Sequence, residues 1–532
     1  MRRRDFLRAT AAGPLLAALP PELIAQTGAR PSTAGAWDSG AVRHLLPTVS
    51  DTQMMLKASF NTPLSQPPIL RVGTTNVPGR MTDTKGEMWA FHATGLSPGR
   101  RYTLSLNAST GRSLCQPWDL STFPSPDGRP ERLRVLFFTC AGGHEGLGFL
   151  PSAVRNRMLR RALSFQPDAA VANGDHVYWD LRSPLTGRGG ASPRAREIAG
   201  GSFSRSDVVL GSENETILKR AAGPQIVPVY GTDFRSTPVF FIQDDHDYFE
   251  NDDAYDEIVT FPPDGFMTEM ARATQSLYYP EFLPDATRPR GLPGSSFGGR
   301  GLPISESFGT LRYGRLAEVL LYTVRRTMTM AGPSAVFVDG EVEGWLTRRM
   351  SAGEVTHVVN APSNPPGWTA GKWGEWYPDV LGADGRLTTD VVKPYWQTGW
   401  LKQHDRLLSA MSRMRGIPLS MSGDLHAIAI GRILRSGTLD LSANPVVTAL
   451  TGPVGTRPGG WPSGVRKVGA TPSLHLTVDE QVKPIEQHGF TMADFTTDTI
   501  VLRFFKWDVN TQRPEALDTL EPFHTVELKR PA

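Results

Sequence analysis

The chain has 532 residues, of which 39% are hydrophobic and 20% charged, the composition of an ordinary globular protein long enough for more than one domain. Its net charge of +3 and its lack of a basic stripe interleaved with aromatic residues argue against a nucleic-acid-binding site. The 53 glycines and 44 prolines indicate many turns and long loops rather than a helical bundle.

The first segment, residues 1–28, has the pattern of an export signal. Arg3-Arg4 is followed by an Asp-Phe-Leu triplet and then by a short, weakly apolar run of Ala and Leu. This order is typical of a twin-arginine signal peptide, and the apolar run is far shorter than the ~20 residues that span a bilayer. We therefore expect export by the twin-arginine translocase, a periplasmic or extracellular location, and no transmembrane anchor in the mature protein.

Residues 34–124 are predicted to form an immunoglobulin- or fibronectin-III-like β-sandwich. Short strand-like runs recur between turn residues, namely MMLKASF, ILRVGT, EMWAFHAT and RYTLSLNA. Leu96, Pro98 and Tyr102 have the spacing of the tyrosine corner found in such sandwiches. The segment PSPDGRP, at 124–130, is then expected to be a linker.

Residues 131–532 show the alternation of an α/β domain. The predicted strands are RLRVLFFTC, DAAVANGD, TPVFFIQ, LAEVLLYTV, THVVNA and IPLSMSG, and the predicted helices are VRNRMLRRALSF and WLKQHDRLLSAMSRM. Two long loops, 183–207 and 284–303, are candidates for lids or insertions. The arginines in and beside the first loop are expected to be exposed, solubilising residues.

Four of the predicted strands end in side chains that can bind a metal ion. The four strand ends are Cys140, Asp175 to Tyr178, Asp244 to Asp247, and Asp424 to His426. Each has an ordinary explanation when taken alone, such as a Gly-Asp turn or a buried cysteine. Ligand sites in α/β sheets lie at the carboxyl ends of strands, and crowded carboxylates repel one another unless a cation lies among them. The four together indicate a metal site.

In these motifs the sequence resembles the PhoD-like alkaline phosphatases and phosphodiesterases of the metallophosphoesterase superfamily. The matching motifs are, in order, Thr139-Cys140, Gly174-Asp175-x-x-Tyr178, Asp244-Asp245-His246-Asp247 and Gly423-Asp424-x-His426. The resemblance covers nearly all of the mature chain. It implies a four-layer α/β/β/α catalytic domain preceded by the sandwich, together with twin-arginine export.

The resemblance also implies a metal cluster. A ferric ion would be held by Cys140, Asp175 and Tyr178, because thiolate and phenolate are strong donors to Fe(III). Calcium, which prefers oxygen ligands, would share Asp175, and other divalent metals are a further possibility. Three further metal ligands follow from the family motifs: Asp245, at the place of an asparagine ligand, and Asp424 and His426, at the place of paired histidines.

The implied activity is the metal-dependent hydrolysis of phosphate esters, as an alkaline phosphatase or a phosphodiesterase. A metal-activated water or oxo group would attack phosphorus. Asp245 and His246 would be the catalytic pair, with His246 facing the phosphate. Asp244, Asp247 and Asn251 would make supporting contacts around them.

Three departures from the family pattern indicate a divergent relative. The usual Leu-Asp-Thr-Arg segment is replaced by Leu321-Tyr322-Thr323-Val324-Arg325, so no role is assigned to it. The tryptophan usually found before Asp-Asp-His is Gln243, and His176 is interpreted as a rim residue. These changes affect the expected substrate more than the expected metal binding.

Three alternatives remain open at this stage. The first is a phospholipase D-like phosphodiesterase, because nothing in the sequence separates a lipid substrate from another diester. The second is a catalytically inactive, secreted binding protein. The third keeps the enzyme but pairs Cys115 with Cys140 in a disulfide, which would leave a two-metal site without a thiolate.

Overall fold

A computed structural model describes residues 37–179, 193–249, 254–255, 258–288, 305–457 and 459–530. The predicted signal peptide, Asn251 and parts of both long loops lie outside the described residues. Within the described ranges, no helix is both long enough and apolar enough to cross a membrane.

The first eight strands form two antiparallel sheets of four strands each, in the orders β1-β2-β6-β5 and β4-β3-β7-β8. Their bounds are β1 (Val42–Val49), β2 (Met54–Phe60), β3 (Ile69–Val72), β4 (Thr75–Pro78), β5 (Arg80–Met81), β6 (Met88–Ala93), β7 (Arg101–Asn107) and β8 (Trp118–Ser121). The hydroxyl of Tyr102 accepts a hydrogen bond from the backbone N–H of Ser97 at 2.7 Å. This is the corner contact that the sequence spacing predicts.

The remaining described strands build two larger sheets and three short two-stranded pairs. In chain order they are β9 (Arg132–Phe138), β10 (Ala169–Asn173), β11 (Val239–Ile242), β12 (Ala254–Tyr255), β13 (Ile258–Val259), β14 (Phe308–Tyr313), β15 (Ala317–Tyr322), β16 (His357–Pro362), β17 (Trp368–Thr369), β18 (Val380–Leu381), β19 (Leu387–Thr388), β20 (Leu419–Ser422), β21 (Ile428–Ser436), β22 (Leu439–Asp440), β23 (Val446–Thr451), β24 (Thr471–Pro472), β25 (Leu476–Ile485), β26 (His488–Thr496), β27 (Thr499–Trp507) and β28 (His524–Lys529).

The first large sheet has six strands in the order β11-β10-β9-β26-β27-β28. Strands β9, β10 and β11 are parallel, whereas β26 joins β9 in the antiparallel direction, with Thr491 opposite Phe137. The second large sheet has the order β14-β15-β16-β20-β23-β21-β22, and β25 also pairs with β21. The short pairs are β12 with β13, β17 with β24, and β18 with β19.

Seven α-helices occur in the described chain. They are α1 (Ser152–Ser164), α2 (Pro193–Ala199), α3 (Glu213–Tyr230), α4 (Gly265–Tyr278), α5 (Gly340–Ser351), α6 (Thr398–Ser412) and α7 (Pro462–Val465). Three of them begin at a side chain that accepts a backbone N–H of the first turn: Ser212 for α3, Asp264 for α4 and Asp339 for α5. Such N-caps satisfy N–H groups that have no partner within the helix.

The parallel strands are apolar on both faces because both faces are covered. On one face of the six-stranded sheet, Phe137 and Val171 share an apolar cluster with Leu321 and Leu419 of the eight-stranded sheet. On the opposite face, neighbouring residues of the same strands pack with side chains of α1 and α3. Helices α5 and α6 pack on the other face of the eight-stranded sheet.

The structure confirms the mixed α/β organisation and the strands and helices predicted up to Asp424. Strand RLRVLFFTC corresponds to β9, and helix WLKQHDRLLSAMSRM corresponds to α6, with bounds that shift by about two residues. The antiparallel strands after His426, including the long β25, β26 and β27, were not predicted. They complete both large sheets.

Candidate metal centre

The predicted ligands meet where strands of the two large sheets end. Strands β9, β10 and β11 are parallel, so the segments after them leave the sheet at one edge. Gly423, after β20, approaches this edge so closely that an added Cβ would lie 2.3 Å from the carbonyl oxygen of Asn173 and 2.4 Å from Oγ1 of Thr139. Only glycine permits that approach, which brings Asp424 and His426 to the other motifs.

Four of the six predicted ligands share an unusual backbone conformation. Cys140, Asp175, Asp424 and His426 have positive φ angles of 50°, 59°, 56° and 44°. A side chain in this region costs of order 1–3 kcal/mol, and such residues cluster at functional sites. Positive φ angles at these four positions therefore mark the strand ends as a candidate functional site.

Cys140, Asp175, Tyr178 and His426 form one group of contacts. Oδ2 of Asp175 lies 3.2 Å from Sγ of Cys140 and 2.9 Å from the hydroxyl oxygen of Tyr178. The same hydroxyl lies 2.9 Å from Nε2 of His426, whose Nδ1 is 2.8 Å from the carbonyl oxygen of Gly460. Ligand atoms of Cys140, Asp175 and His426 all lie within 4.8 Å of one another.

Two further groups contain Asp245. Within the same 4.8 Å limit, Asp245 lies with Asp175 and His246, and also with Asp244 and Asp424. The ring of His246 packs against the ring of Tyr178, with 4.3 Å between centroids and a tilt of 39° between the ring planes. The structure therefore brings every described residue of the predicted ligand and catalytic set to one place.

Asp247 holds the backbone of this place. Its carboxylate accepts hydrogen bonds from the N–H groups of Asp175 at 3.0 Å, His176 at 2.8 Å and Val177 at 3.3 Å. It also accepts the N–H of Asp244 at 2.8 Å, which closes the 3₁₀ turn Asp245–Asp247. One buried carboxylate thus fixes the two loops that carry Asp175 and Asp245.

Sequence reasoning missed three residues that contact the acidic side chains. Arg325 is buried and donates to Asp244 at 2.9 Å and to Asp424 at 3.1 Å. Lys372 forms an ion pair with Asp245, and the side-chain amide of Asn364 donates to Asp424 at 3.0 Å. Arg325 lies in the segment that departs from the family pattern, and this departure was the sequence feature that could have drawn attention to it. Lys372 and Asn364 lie in loops without any sequence feature that indicates a role at the site.

Burial and neighbouring charges determine the ionisation of these groups. Burial, together with the charge of Asp175, raises the pKa values of the Cys140 thiol and the Tyr178 phenol well above their usual range. Burial opposes ionisation of Asp245, but Lys372 and then His246 hold its pKa well below the usual range. Burial, only partly offset by Arg325, raises the pKa of Asp244.

These residues fit metal ions of the expected kinds. Buried oxygens Oδ1 of Asp175, Oδ1 of Asp245 and Oδ2 of Asp244 have no hydrogen-bond partner among the described residues. An unpartnered buried carboxylate oxygen is costly, so these oxygens are suited to a cation. The thiol, the phenol and the imidazole supply donors for Fe(III), and the carboxylates supply oxygens for calcium or another divalent ion.

Two earlier interpretations need correction. Cys115 and Cys140 are both free and both buried, so the disulfide alternative is wrong for this structure. His176 is not a rim residue: its ring is buried, lies 2.9 Å through Nε2 from the carbonyl oxygen of Ile242, and packs edge-on against Phe241 and Tyr279. Burial lowers its pKa to about 4, which keeps the ring neutral.

The other departure and the loop arginines have structural explanations. Gln243 is buried and donates to the carbonyl oxygen of Ala271 at 3.1 Å, which ties β11 to α4. Arg194 is exposed and pairs with Glu197 within α2 at 2.8 Å, as expected of a solubilising residue. Arg182 and Arg188 lie outside the described residues.

Comparison with known proteins finds solved structures with a similar fold. No protein-family model matches the chain, and no curated protein matches its sequence. Among solved structures, one of PhoD superposes with a TM-score of 0.57 at 13% identity, covering 92% of this chain and 90% of that one. A purple acid phosphatase, PPD1 from seeds of yellow lupin (Lupinus luteus), gives 0.52 at 11% identity, covering 92% of this chain and 74% of that one. The chain therefore shares the fold of the PhoD structure and of this purple acid phosphatase.

Proposed function

We propose that the chain is an exported, metal-dependent hydrolase of phosphate esters, of the PhoD-like alkaline phosphatase and phosphodiesterase type. One observation carries the proposal: a thiol, a phenol, imidazoles and carboxylates from four separate strand ends converge within hydrogen-bond or ligand distance. The fold shared with two phosphatases supports it. Periplasmic or extracellular location rests on the twin-arginine pattern of residues 1–28.

The domain organisation belongs to the same proposal. Residues 34–124 would be the immunoglobulin- or fibronectin-like domain, which the two four-stranded sheets and the corner contact of Tyr102 support. Residues 131–532 would be the catalytic domain. Its proposed α/β/β/α layering is supported by an apolar cluster between the two large sheets and by helices packed on the opposite face of each.

The metal ligands would be the residues that the sequence indicates. Cys140, Asp175 and Tyr178 would hold a ferric ion next to His426, and Asp245 and Asp424 would supply oxygens to the centre. Bound metal would polarise the phosphoryl oxygens, neutralise their charge and lower the pKa of a water. Because the thiol and the phenol have raised pKa values, metal binding would release their protons.

The protein residues would position the substrate and move the proton. His246 is half-buried beside Tyr178, so its ring can donate to a phosphoryl oxygen or to the leaving group. Asp245 lies beside it in the group with Asp175. Asp247 keeps both loops in place through its four N–H contacts, which fixes the geometry that phosphoryl transfer requires.

The test combines metal analysis with two substrates. Protein purified without chelators is analysed for metals and assayed on p-nitrophenyl phosphate and bis(p-nitrophenyl) phosphate, with a phosphatidylcholine assay for the phospholipase D-like alternative. We expect bound iron, hydrolysis of at least one ester, and a loss of about 100-fold or more in kcat for His246→Gln with its metal retained. His475→Gln, on the turn before β25, is the matched control and should keep full activity.

Two results would contradict the proposal. Metal-loaded protein that hydrolyses none of these esters would favour the secreted binding protein. Equal activity of His246→Gln and the wild type would contradict the catalytic role proposed for His246. Two zinc or manganese ions without iron would keep the hydrolase and remove the thiolate-phenolate iron site.

A further inference from the structure

Two fixed cations lie among the acidic side chains of the centre. Asp244, Asp245 and Asp424 have ligand atoms within 4.8 Å of one another. The Arg325 side chain is 0% exposed and spans Asp244 and Asp424, whereas the Lys372 side chain is 7% exposed and pairs with Asp245. The Lys372 ammonium also lies 3.6 Å from the other oxygen of Asp424. Both oxygens of Asp424 and one oxygen each of Asp244 and Asp245 therefore already have a cationic partner, and Oδ2 of Asp244 and Oδ1 of Asp245 are left without a hydrogen-bond partner among the described residues.

Both cationic residues are also held by contacts outside the three carboxylates. Arg325 also donates to the carbonyl oxygen of Gly374, and its guanidinium lies 5.9 Å and 6.0 Å from the ring centroids of Phe261 and Phe337. A planar, permanently charged group packed this way cannot leave the site easily.

The loop that carries Lys372 is equally well held. The buried carboxylate of Glu375 accepts the N–H groups of Ala370 and Lys372, both at 3.0 Å, and the hydroxyl of Thr369. Lys372 is thus presented to Asp245 by a loop whose own backbone is anchored.

We propose that Lys372, supported by Arg325, takes the place of a second metal ion, so that the centre binds one metal ion at Cys140, Asp175, Tyr178 and His426. This inference rests on the Cys140, Asp175 and Tyr178 site of the proposed function, and it withdraws the metal-ligand role given there to Asp245 and Asp424, which would hold Lys372 instead. An ammonium fixed beside Asp245 and Asp424 supplies charge to a bound phosphate without a divalent ion.

The geometry favours this reading over a cluster. A divalent ion bound by Oδ2 of Asp244 and Oδ1 of Asp245 would lie beside the Arg325 guanidinium and the Lys372 ammonium, which contact the other oxygens of the same two carboxylates. Like charges at such distances in a buried site repel strongly. The Cys140 group has no such obstacle, because its contacts are to a thiol, a phenol, an imidazole and one carboxylate.

The experiment counts metal ions in three proteins, so it does not depend on activity. Wild type, Lys372→Met and Lys393→Met are purified without chelators, dialysed against calcium or manganese, and analysed for metal per chain. Lys393 is the matched control: it is also buried, but it donates to the carbonyl oxygen of Tyr377 at 2.8 Å and lies 3.8 Å from Glu375. Calorimetric titration with calcium gives a second count.

We expect one metal ion per chain in the wild type and in Lys393→Met, with no further uptake of calcium. Lys372→Met should bind one additional divalent ion, because the carboxylates of Asp245 and Asp424 lose their ammonium partner. Two or more ions in the wild type, or no additional ion in a folded Lys372→Met, would overturn the inference and leave the hydrolase proposal intact. Should the variant not fold, the wild-type count decides alone. Wild type without any metal would instead contradict the proposed metal centre itself, and the inference with it.

Discussion

At the scale of single residues, Asp247 shows how the centre depends on a side chain that is not among its predicted ligands. Each of its oxygens accepts two backbone hydrogen bonds: Oδ1 from the N–H groups of His176 and Val177, and Oδ2 from those of Asp175 and Asp244. The backbone that carries two predicted ligands is therefore tied to one buried carboxylate.

Asp247→Asn should lower the free energy of unfolding by about 2–4 kcal/mol, because one oxygen becomes an NH₂ group that faces backbone donors. Iron content should fall as well, since the Asp175 loop loses its anchor. Urea unfolding and elemental analysis measure both effects. Asp508→Asn is the control: Asp508 accepts the N–H of Asn510 at 2.9 Å in an exposed turn, and its loss should cost less than about 1 kcal/mol. Equal losses in the two variants would contradict the role of Asp247.

The sequence predicts the ligands better than the cations around them, for a physical reason. Cys140, Asp175 and Asp424 follow shortly after the ends of buried strands, where a residue that can bind a metal interrupts the apolar pattern. Arg325 and Lys372 act through partners 81 and 127 residues away in the chain. No local pattern marks such a pair, because only the folded sheet edge brings it together.

At the scale of elements, a buried ion pair joins β2 to the segment after α4. The ammonium of Lys57 donates to the carboxylate of Glu281 and to the carbonyl oxygen of Ser276, both at 2.9 Å, and neither charged side chain is exposed. Burial lowers the pKa of Lys57, and Glu281 opposes that shift. A strand of the first sheets is thereby fixed to the C-terminal end of α4.

Lys57→Met should destabilise the protein by about 3–5 kcal/mol, because it leaves the buried carboxylate of Glu281 without its cation. The double variant Lys57→Met, Glu281→Leu should recover most of this loss, since no buried charge remains. Chemical unfolding of the wild type, both single variants and the double variant gives the coupling energy. An exposed pair, Arg101 with Asp119 at 2.9 Å, is the control, and Arg101→Gln should change stability by less than about 1 kcal/mol. A double variant as unstable as Lys57→Met would contradict the argument.

The elements themselves differ in how far the sequence predicts them. Parallel strands such as β9 and β11 are continuous apolar runs bounded by turns, so they are recognisable locally. Strand β26 lies between β9 and β27. Its residue Thr496 pairs with Arg132 of β9, although the two residues are far apart in the sequence of residues 131–532. The pairing of β26 with β9 depends on contacts between distant parts of the chain. The order of the strands in the six-stranded sheet therefore does not follow from the local sequence pattern.

At the scale of the whole molecule, one apolar cluster runs through several sheets. Leu56 and Leu104 of the first sheets, Phe137 of the six-stranded sheet and Leu419 of the eight-stranded sheet all belong to it. Burial on this scale is what allows polar and titratable groups to lie inside, such as His44 on β1. Such groups make the stability of the molecule depend on pH.

His44 should make the folded protein sensitive to acid. Its ring is fully buried, and neither nitrogen has a hydrogen-bond partner among the described residues. Burial, and then the charge of Arg43, lowers its pKa from 6.5 to about 3. Between pH 6.5 and pH 3 the unfolded chain therefore binds a proton at His44 that the folded protein does not bind. The free energy of unfolding consequently reaches its full value above pH 6.5 and decreases as the pH falls towards 3. At pH 5 the loss from this residue is about 2 kcal/mol.

The His44→Leu substitution removes this loss. Relative to the wild type, it should therefore raise the free energy of unfolding by about 2 kcal/mol more at pH 5 than at pH 8, as measured by urea unfolding. The same difference between the two proteins at both pH values would show that His44 is not the group responsible.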